Sequence, residues 1–202
     1  VDALCSGRFE HTGQYYQIPE APLDMLPMQR PYPPLWYAGG IDFAGRHHLN
    51  FVSRTADQLA RYWDLVDVHR DAPTIVNQHL DSLIAGVNRQ MVIRETVEEA
   101  TAVARRAWAV FDANFHATSA RMLERPTVSV TEDFDTVLRE GSRLLVGTPA
   151  MAREFIADCV ERLPERPNFY FVPALQFGDM TLDESRESMR LLAREVMPAF
   201  AD

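Results

Sequence analysis

Lysine is absent from this chain of 202 residues, and all twenty basic side chains are arginine. Within this segment that excludes a Schiff-base lysine, a pyridoxal-binding lysine and the lysine of a phosphate-binding P-loop. Cysteine is nearly as scarce. Cys5 and Cys159 stand far apart with no CxxC pair, so no disulfide framework is expected and a reducing, cytoplasmic compartment is. No apolar run approaches the roughly 18–20 residues of a membrane span. Val1-Asp2-Ala3 offers neither the basic start nor the apolar core of a signal peptide. Histidine at metal-ligand spacing is missing too. His47 and His48 are adjacent, and adjacent side chains diverge on a helix or strand, so no metal site is expected. No nucleophile elbow or triad pattern appears either.

What is present reads as an ordinary globular chain, 47% hydrophobic and 24% charged, of a length that suits one domain over residues 1–202. Its net charge is −9, which argues against nucleic acid or an anionic membrane as main partner. The first residue is Val1 rather than Met, as in a processed, trimmed or excerpted chain.

Residues 8–18 read as a hairpin turning at Thr12-Gly13, and prolines between 19 and 34 make a stiff, extended lead-in. Short apolar runs at 35–38 and 49–53 read as strands, the first of them buried. Thr55 with Gln58 forms a capping-box pattern before a helix carrying Leu59, Tyr62, Trp63 and Val66. A short helix is expected over 74–86. A strand at 89–93 leads to Thr96 and Glu99, a second capping box, and a long helix with an Ala-rich face. Residues 116–141 read as an insertion with some helix near 133–139. Thr148-Pro149 starts a helix with Phe155, Ile156, Cys159 and Val160 on its apolar face. The strand 168–175 precedes Thr181 and Glu184, a third capping box, and a last helix with Met189, Leu192, Ala193 and Val196 inward, stopped by Pro198. Strand and helix alternate, which argues for parallel strands with crossover helices in an α/β fold. The alternation alone does not choose between a barrel and an open sheet.

Four segments, in order, resemble the luciferase-like monooxygenase family, which includes bacterial luciferase and coenzyme F420-dependent reductases. They are FEHTGQYYQIPEAPLDMLPMQRPYPPLWYAGG (9–40), VIRETVEEATAVARRA (92–107), LLVGTPAMAREFI (144–156) and FGDMTLDESRESMRLLAREVMPAF (177–200). The resemblance implies a partial (β/α)8 TIM barrel: roughly the last four βα units after the hairpin and lead-in of residues 1–34. It implies a flavin-dependent oxidoreductase or monooxygenase using reduced FMN, or F420, with O2 on a small organic substrate. It also implies a partner for an incomplete barrel, either a second copy in a homodimer or the missing N-terminal half. A non-catalytic half-barrel that works by association is the alternative, as is a fragment without a full flavin site.

In the family, the turn after the first of these strands helps hold the flavin phosphate. Here that turn is Ala38, Gly39, Gly40, Ile41 and Asp42, with Arg46 as the nearest cation in sequence. Asp42 would repel a phosphate unless paired. The other reading of the two glycines is a strand-ending turn that needs positive φ. His48 stands where the family more often has a small residue, and a surface or hydrogen-bonded role is expected for it. Ser53, Arg54, Arg94, Glu95, Gln176 and Asp179 follow strands and could face a barrel mouth. Trp36 and Tyr37 alternate across their strand, which suits core filling. The catalytic groups are expected in the half that precedes Val1.

Overall fold

The computed structural model describes residues 1–72, 83–123, 133–141, 143–161, 163 and 168–201. The chain divides into two compact units: Val1–Phe51 with Arg61–Ile84, and Val52–Ala60 with Ala85–Asp202.

The first unit opens with α1 (Asp2–Ser6) and the hairpin of β1 (Arg8–Thr12) and β2 (Gln17–Pro22). The two strands pair antiparallel, His11 opposite Ile18 and Thr12 opposite Gln17, and the Gly13 N–H closes the turn on the Tyr16 carbonyl. β3 (Trp36–Tyr37) runs parallel to the start of β4 (Asn50–Ser53), with Trp36 opposite Asn50 and Tyr37 opposite Phe51. Between them lies α2 (Ile41–Arg46). The strand at 35–38 was expected to be buried; instead Trp36 is 45% exposed. With two residues paired, β3 has little surface to hide behind. The core of this unit is aromatic. Phe51 stacks on Tyr62 at 5.5 Å and Tyr62 meets Trp63 edge-on at 5.0 Å. The Tyr62 hydroxyl donates to the Leu49 carbonyl at 2.9 Å, which satisfies a buried polar tip. Tyr62 and Trp63 come from α3 (Ala56–Val68), and β4 and α3 contribute residues to both units.

The second unit is built around β5 (Ala85–Ile93). β6 (Leu144–Gly147) and β7 (Phe169–Ala174) both pair parallel to it, β7 along Ala85–Gln90 and β6 along Gln90–Ile93. The strands read from the sequence therefore run parallel within each unit, as expected: β3 with β4, and β5 with β7. β6 was not expected as a strand at all. Of the helix expected over 74–86, residues 83 and 84 have no regular structure and 85 and 86 are strand; 74–82 lie outside the described residues, as does TVSVT (127–131) of the expected insertion.

Alternation along β5 sends Val92 to one face and Met91 and Ile93 to the other. Val92 packs with Ala100, Ala104, Ala107 and Trp108 of α4 (Val97–Leu123) and with Phe134 and Val137 of α5 (Phe134–Glu140). Met91 and Ile93 pack with Ala152 and Ile156 of α6 (Pro149–Glu161) and Leu191 of α7 (Leu182–Leu191). Helices thus cover both faces of this strand. The small side chains of α4 let its backbone approach closely: at Gly178, φ +58°, a Cβ would fall 1.9 Å from the Ala107 carbonyl oxygen.

Helix α7 starts as its sequence demands. Thr181 accepts from the Glu184 N–H, and Glu184 accepts in return from the Thr181 N–H. It then widens into a π-helical turn, Leu192–Val196, and a 3-10 turn, Met197–Phe200. In the α-helical part Ser185, Ser188 and Leu191 are buried and Met189, expected inside, is exposed; the wider turn buries Leu192 and Val196 and leaves Ala193, also expected inside, at the surface. Val160 of α6 is likewise 44% exposed. Among the described residues no helix is long and apolar enough to cross a membrane.

Candidate functional site

In the first unit, Ala38, Gly39 and Gly40 lie exposed in the connection from β3 to α2. Neither glycine takes positive φ; Gly40 caps α2 at φ −70°, ψ 139°. The reading of the pair as a positive-φ turn is therefore wrong. What Gly40 offers is room: nothing lies within 4 Å of where its Cβ would be. Ile41 is half-buried and Asp42 exposed. The Asp42 carboxylate accepts from the Arg61 guanidinium of α3 at 2.7 Å. Its cation is thus Arg61, 19 residues on, whereas Arg46 sits in the last turn of α2. Rings flank the turn, with Tyr37 4.7 Å from Phe43, and Phe43 4.3 Å from His47.

His48 follows α2 and is fully buried. Its φ is +54°, the left-handed region that favours a small residue and costs a larger one. The ring Nε2 donates to the Val66 carbonyl at 3.1 Å. Burial holds its pKa below the usual histidine value, partly offset by that hydrogen bond. His48 is a packed, neutral, hydrogen-bonded side chain. Close approach of α2 to α3 falls instead to Gly45, where a Cβ would lie 2.5 Å from the Leu65 Cβ.

In the second unit, several residues expected at a barrel mouth hold the fold together. Arg94 is buried and donates to the Ile93 carbonyl at 2.6 Å, the Ser188 hydroxyl at 2.7 Å and the Glu184 carbonyl at 2.9 Å. Asp179 accepts from Arg106 at 3.2 Å, and the same guanidinium reaches Glu184 at 2.7 Å. The Ser53 hydroxyl is within 3.0 Å of the Thr55 and Gly86 carbonyls. Glu95 and Gln176 are exposed.

Arg54 is placed differently. With Arg143, Asn88, Gln90, Phe111 and Phe115 it lines a cleft of about 390 Å³, counted out to its open mouth. All six residues belong to the second unit. Only Arg54 of this set was singled out from the sequence. Asn88 and Gln90 carried a readable signal, two amides at i and i+2 flanking Arg89 in a strand whose other residues are apolar or Gly. So did Phe111 and Phe115, one helical turn apart. Among the described residues no cluster of His, Cys, Asp or Glu is arranged to hold a metal.

No family model matches the chain. A protein of Sinorhizobium fredii (strain NBRC 101917 / NGR234), named uncharacterized protein y4wF, is 25% identical over 98% of this chain and 57% of its own length. Among solved structures, monooxygenase RslO1 from Streptomyces bottropensis superposes with a TM-score of 0.71 at 22% identity, over 98% of this chain and 58% of that one. The oxygenating constituent of 3,6-diketocamphane monooxygenase from Pseudomonas putida, solved with FMN, gives 0.59 at 16% identity, over 98% and 59%. The coenzyme F420-dependent tetrahydromethanopterin reductase from Methanopyrus kandleri gives 0.59 at 16% identity, over 99% and 60%. The chain thus spans less than two thirds of each of these proteins. It has a mixed α/β fold with mostly parallel strands, shared with solved monooxygenases and an F420-dependent reductase, the classes of protein that its sequence resembles.

Proposed function

We propose that the chain is part of a luciferase-like oxidoreductase that works with reduced FMN or F420. The observation that carries this is the near-complete superposition on a solved monooxygenase, with 98% of the chain covered at a TM-score of 0.71. The four ordered sequence motifs point the same way. In this reading the sheet is an arc of a (β/α)8 barrel, and the remaining staves come from a preceding N-terminal half or a second copy. A bound reduced flavin supplies the electrons, and with O2 the oxidising power, for a small organic substrate; the protein supplies position and a dry, polarised site.

The turn Ala38–Asp42 is the proposed contact for the cofactor's phosphate. Two features fit it: the open space beside Gly40, which lets an anion reach backbone N–H groups, and the pairing of Asp42 with Arg61, which offsets the one negative charge in the turn. Arg61, rather than Arg46, is the cation proposed to assist. Equilibrium dialysis under anaerobic conditions against reduced FMN and F420 tests the reading, on the chain alone and on the chain together with the N-terminal half. Saturable uptake of one of them is expected. Uptake of neither by either preparation would overturn it.

A further inference from the structure

The cleft of the second unit has a chemistry that the flavin reading does not specify. Asn88 and Gln90 are two residues apart on β5 and so share a face. Phe111 and Phe115, four apart on α4, also share a face, and their rings lie near-parallel at 6.1 Å. Across the same opening stand Arg54 and Arg143. Among the described residues no acid pairs with the Arg54 guanidinium. Arg89, between the two amides on β5, turns to the opposite face of the strand, where it is buried with its guanidinium 4.9 Å over the Phe155 ring. Burial first, and the Arg54 charge in addition, push Arg89 below its ordinary pKa. In a chain of net charge −9, two arginines, Arg54 and Arg143, thus line one small opening beside two aromatic rings and two amides.

Each component selects a part of a ligand. Guanidinium forks match a carboxylate and hold it with charge-assisted hydrogen bonds. Phenylalanine rings favour an offset or edge-on aromatic partner. The amides can donate to or accept from a ring substituent. We propose that this cleft binds a small aromatic carboxylate, with the acid at Arg54 and Arg143 and the ring against Phe111 and Phe115. As the substrate site of the oxidoreductase the cleft rests on the function proposed above; as an anion site it stands without flavin.

The experiment is calorimetric titration of the whole chain, free of flavin, with benzoate and with benzamide. Benzoate should bind and benzamide should bind far more weakly. Loss of one charge-assisted contact in Arg54→Gln should weaken benzoate roughly ten-fold and leave benzamide unchanged. Arg54 is exposed, so the variant should fold, and circular dichroism checks that. Phe115→Ala, at a half-exposed ring, should weaken both ligands. No benzoate binding, or equal binding to the chain and to Arg54→Gln, would overturn the proposal. So would displacement of benzoate by FMN, which would assign the cleft to the cofactor. Benzoate binding without any flavin uptake would sink the redox function and leave the cleft's chemistry intact.

Discussion

In the first unit Tyr15, Tyr16, Met25 and Met28 stand 72–99% exposed, every residue of β1 is exposed, and burial centres on the stack of Phe51, Tyr62 and Trp63 with Ala44, Leu49 and Val66 among the buried residues of the unit. In the second, β5 is paired on both edges and covered on both faces, with one apolar cluster under α4 and α5 and another under α6 and α7. Its exposed apolar residues include Val160 and Met189 on helices and the pair Tyr170 and Val172 on one face of β7. The hairpin is held by its backbone pairing and turn, and a hairpin without a covered face is marginal in water. The second unit is held by burial. The comparison places the stability of the chain in the second unit and leaves the first with apolar surface that its own residues do not cover.

The largest effect is expected at Trp108, 2% exposed in the cluster beneath α4. Trp108→Ala should destabilise the second unit by about 3–5 kcal/mol, the usual cost of a large-to-small change in a core. The variant is also an instrument. The remaining tryptophans, Trp36 and Trp63, both lie in the first unit, so fluorescence then reports that unit alone, while far-UV circular dichroism is dominated by the long helices of the second. If residues 1–202 fold as one domain, both signals move together to lower urea. Separate transitions, with the fluorescence midpoint unmoved, would make the two units independent.

The same contrast governs what the sequence made legible. Helix starts announce themselves through local chemistry, so Thr181 and Glu184 form the complete reciprocal cap expected of them. Thr55 caps α3 by accepting from the Gln58 N–H at 3.1 Å, but the Gln58 amide reaches back to the Arg54 N–H, one residue short of the box. The turn of β1 and β2 and the helix α5 were readable for the same reason. β6 was not, because four residues of strand are hidden by the Gly-Thr-Pro signal that follows them. The inward faces were misjudged at Val160 and Met189, apolar residues at the edge of a buried face in regular α-helix, and at Ala193, where a regular 3.6 period cannot anticipate a π turn. At the candidate turn the sequence marked the glycines and the need for a partner to Asp42. It could not name Arg61, whose position depends on how α3 packs. The left-handed backbone of His48 was equally invisible, although the oddity of a large residue there was not.

A smaller effect, confined to the first unit, follows from His48. Its folded pKa lies below 6.5 because burial disfavours the charged ring, so below that pH the unfolded chain binds the extra proton and the folded one does not. Stability is therefore complete above about 6.5 and falls as the pH drops from there towards the folded value. Urea titrations at pH 7.5 and 5.5, followed by Trp63 fluorescence, should show this loss. His48→Gln, which keeps a donor for the Val66 carbonyl, should remove most of the pH dependence. An unchanged slope in that variant would assign the effect to another group.

The smallest stability effect is expected at Asp42, where the largest functional contrast lies. The Asp42–Arg61 pair is open to water, with side chains 57% and 61% exposed. Removing such a pair changes stability by no more than about 1 kcal/mol. Asp42→Asn should therefore leave the urea midpoint nearly where it was. The same change deletes the negative charge in the turn and releases the Arg61 guanidinium towards any phosphate held there. Affinity for FMN should rise in the variant, and the rise should shrink as salt screens the interaction. In Arg61→Gln the opposite is expected, with Asp42 left unpaired beside the anion. If neither substitution moves FMN affinity, the turn Ala38–Asp42 takes no part in holding the phosphate, and the cofactor contact of this chain has to be sought in the second unit.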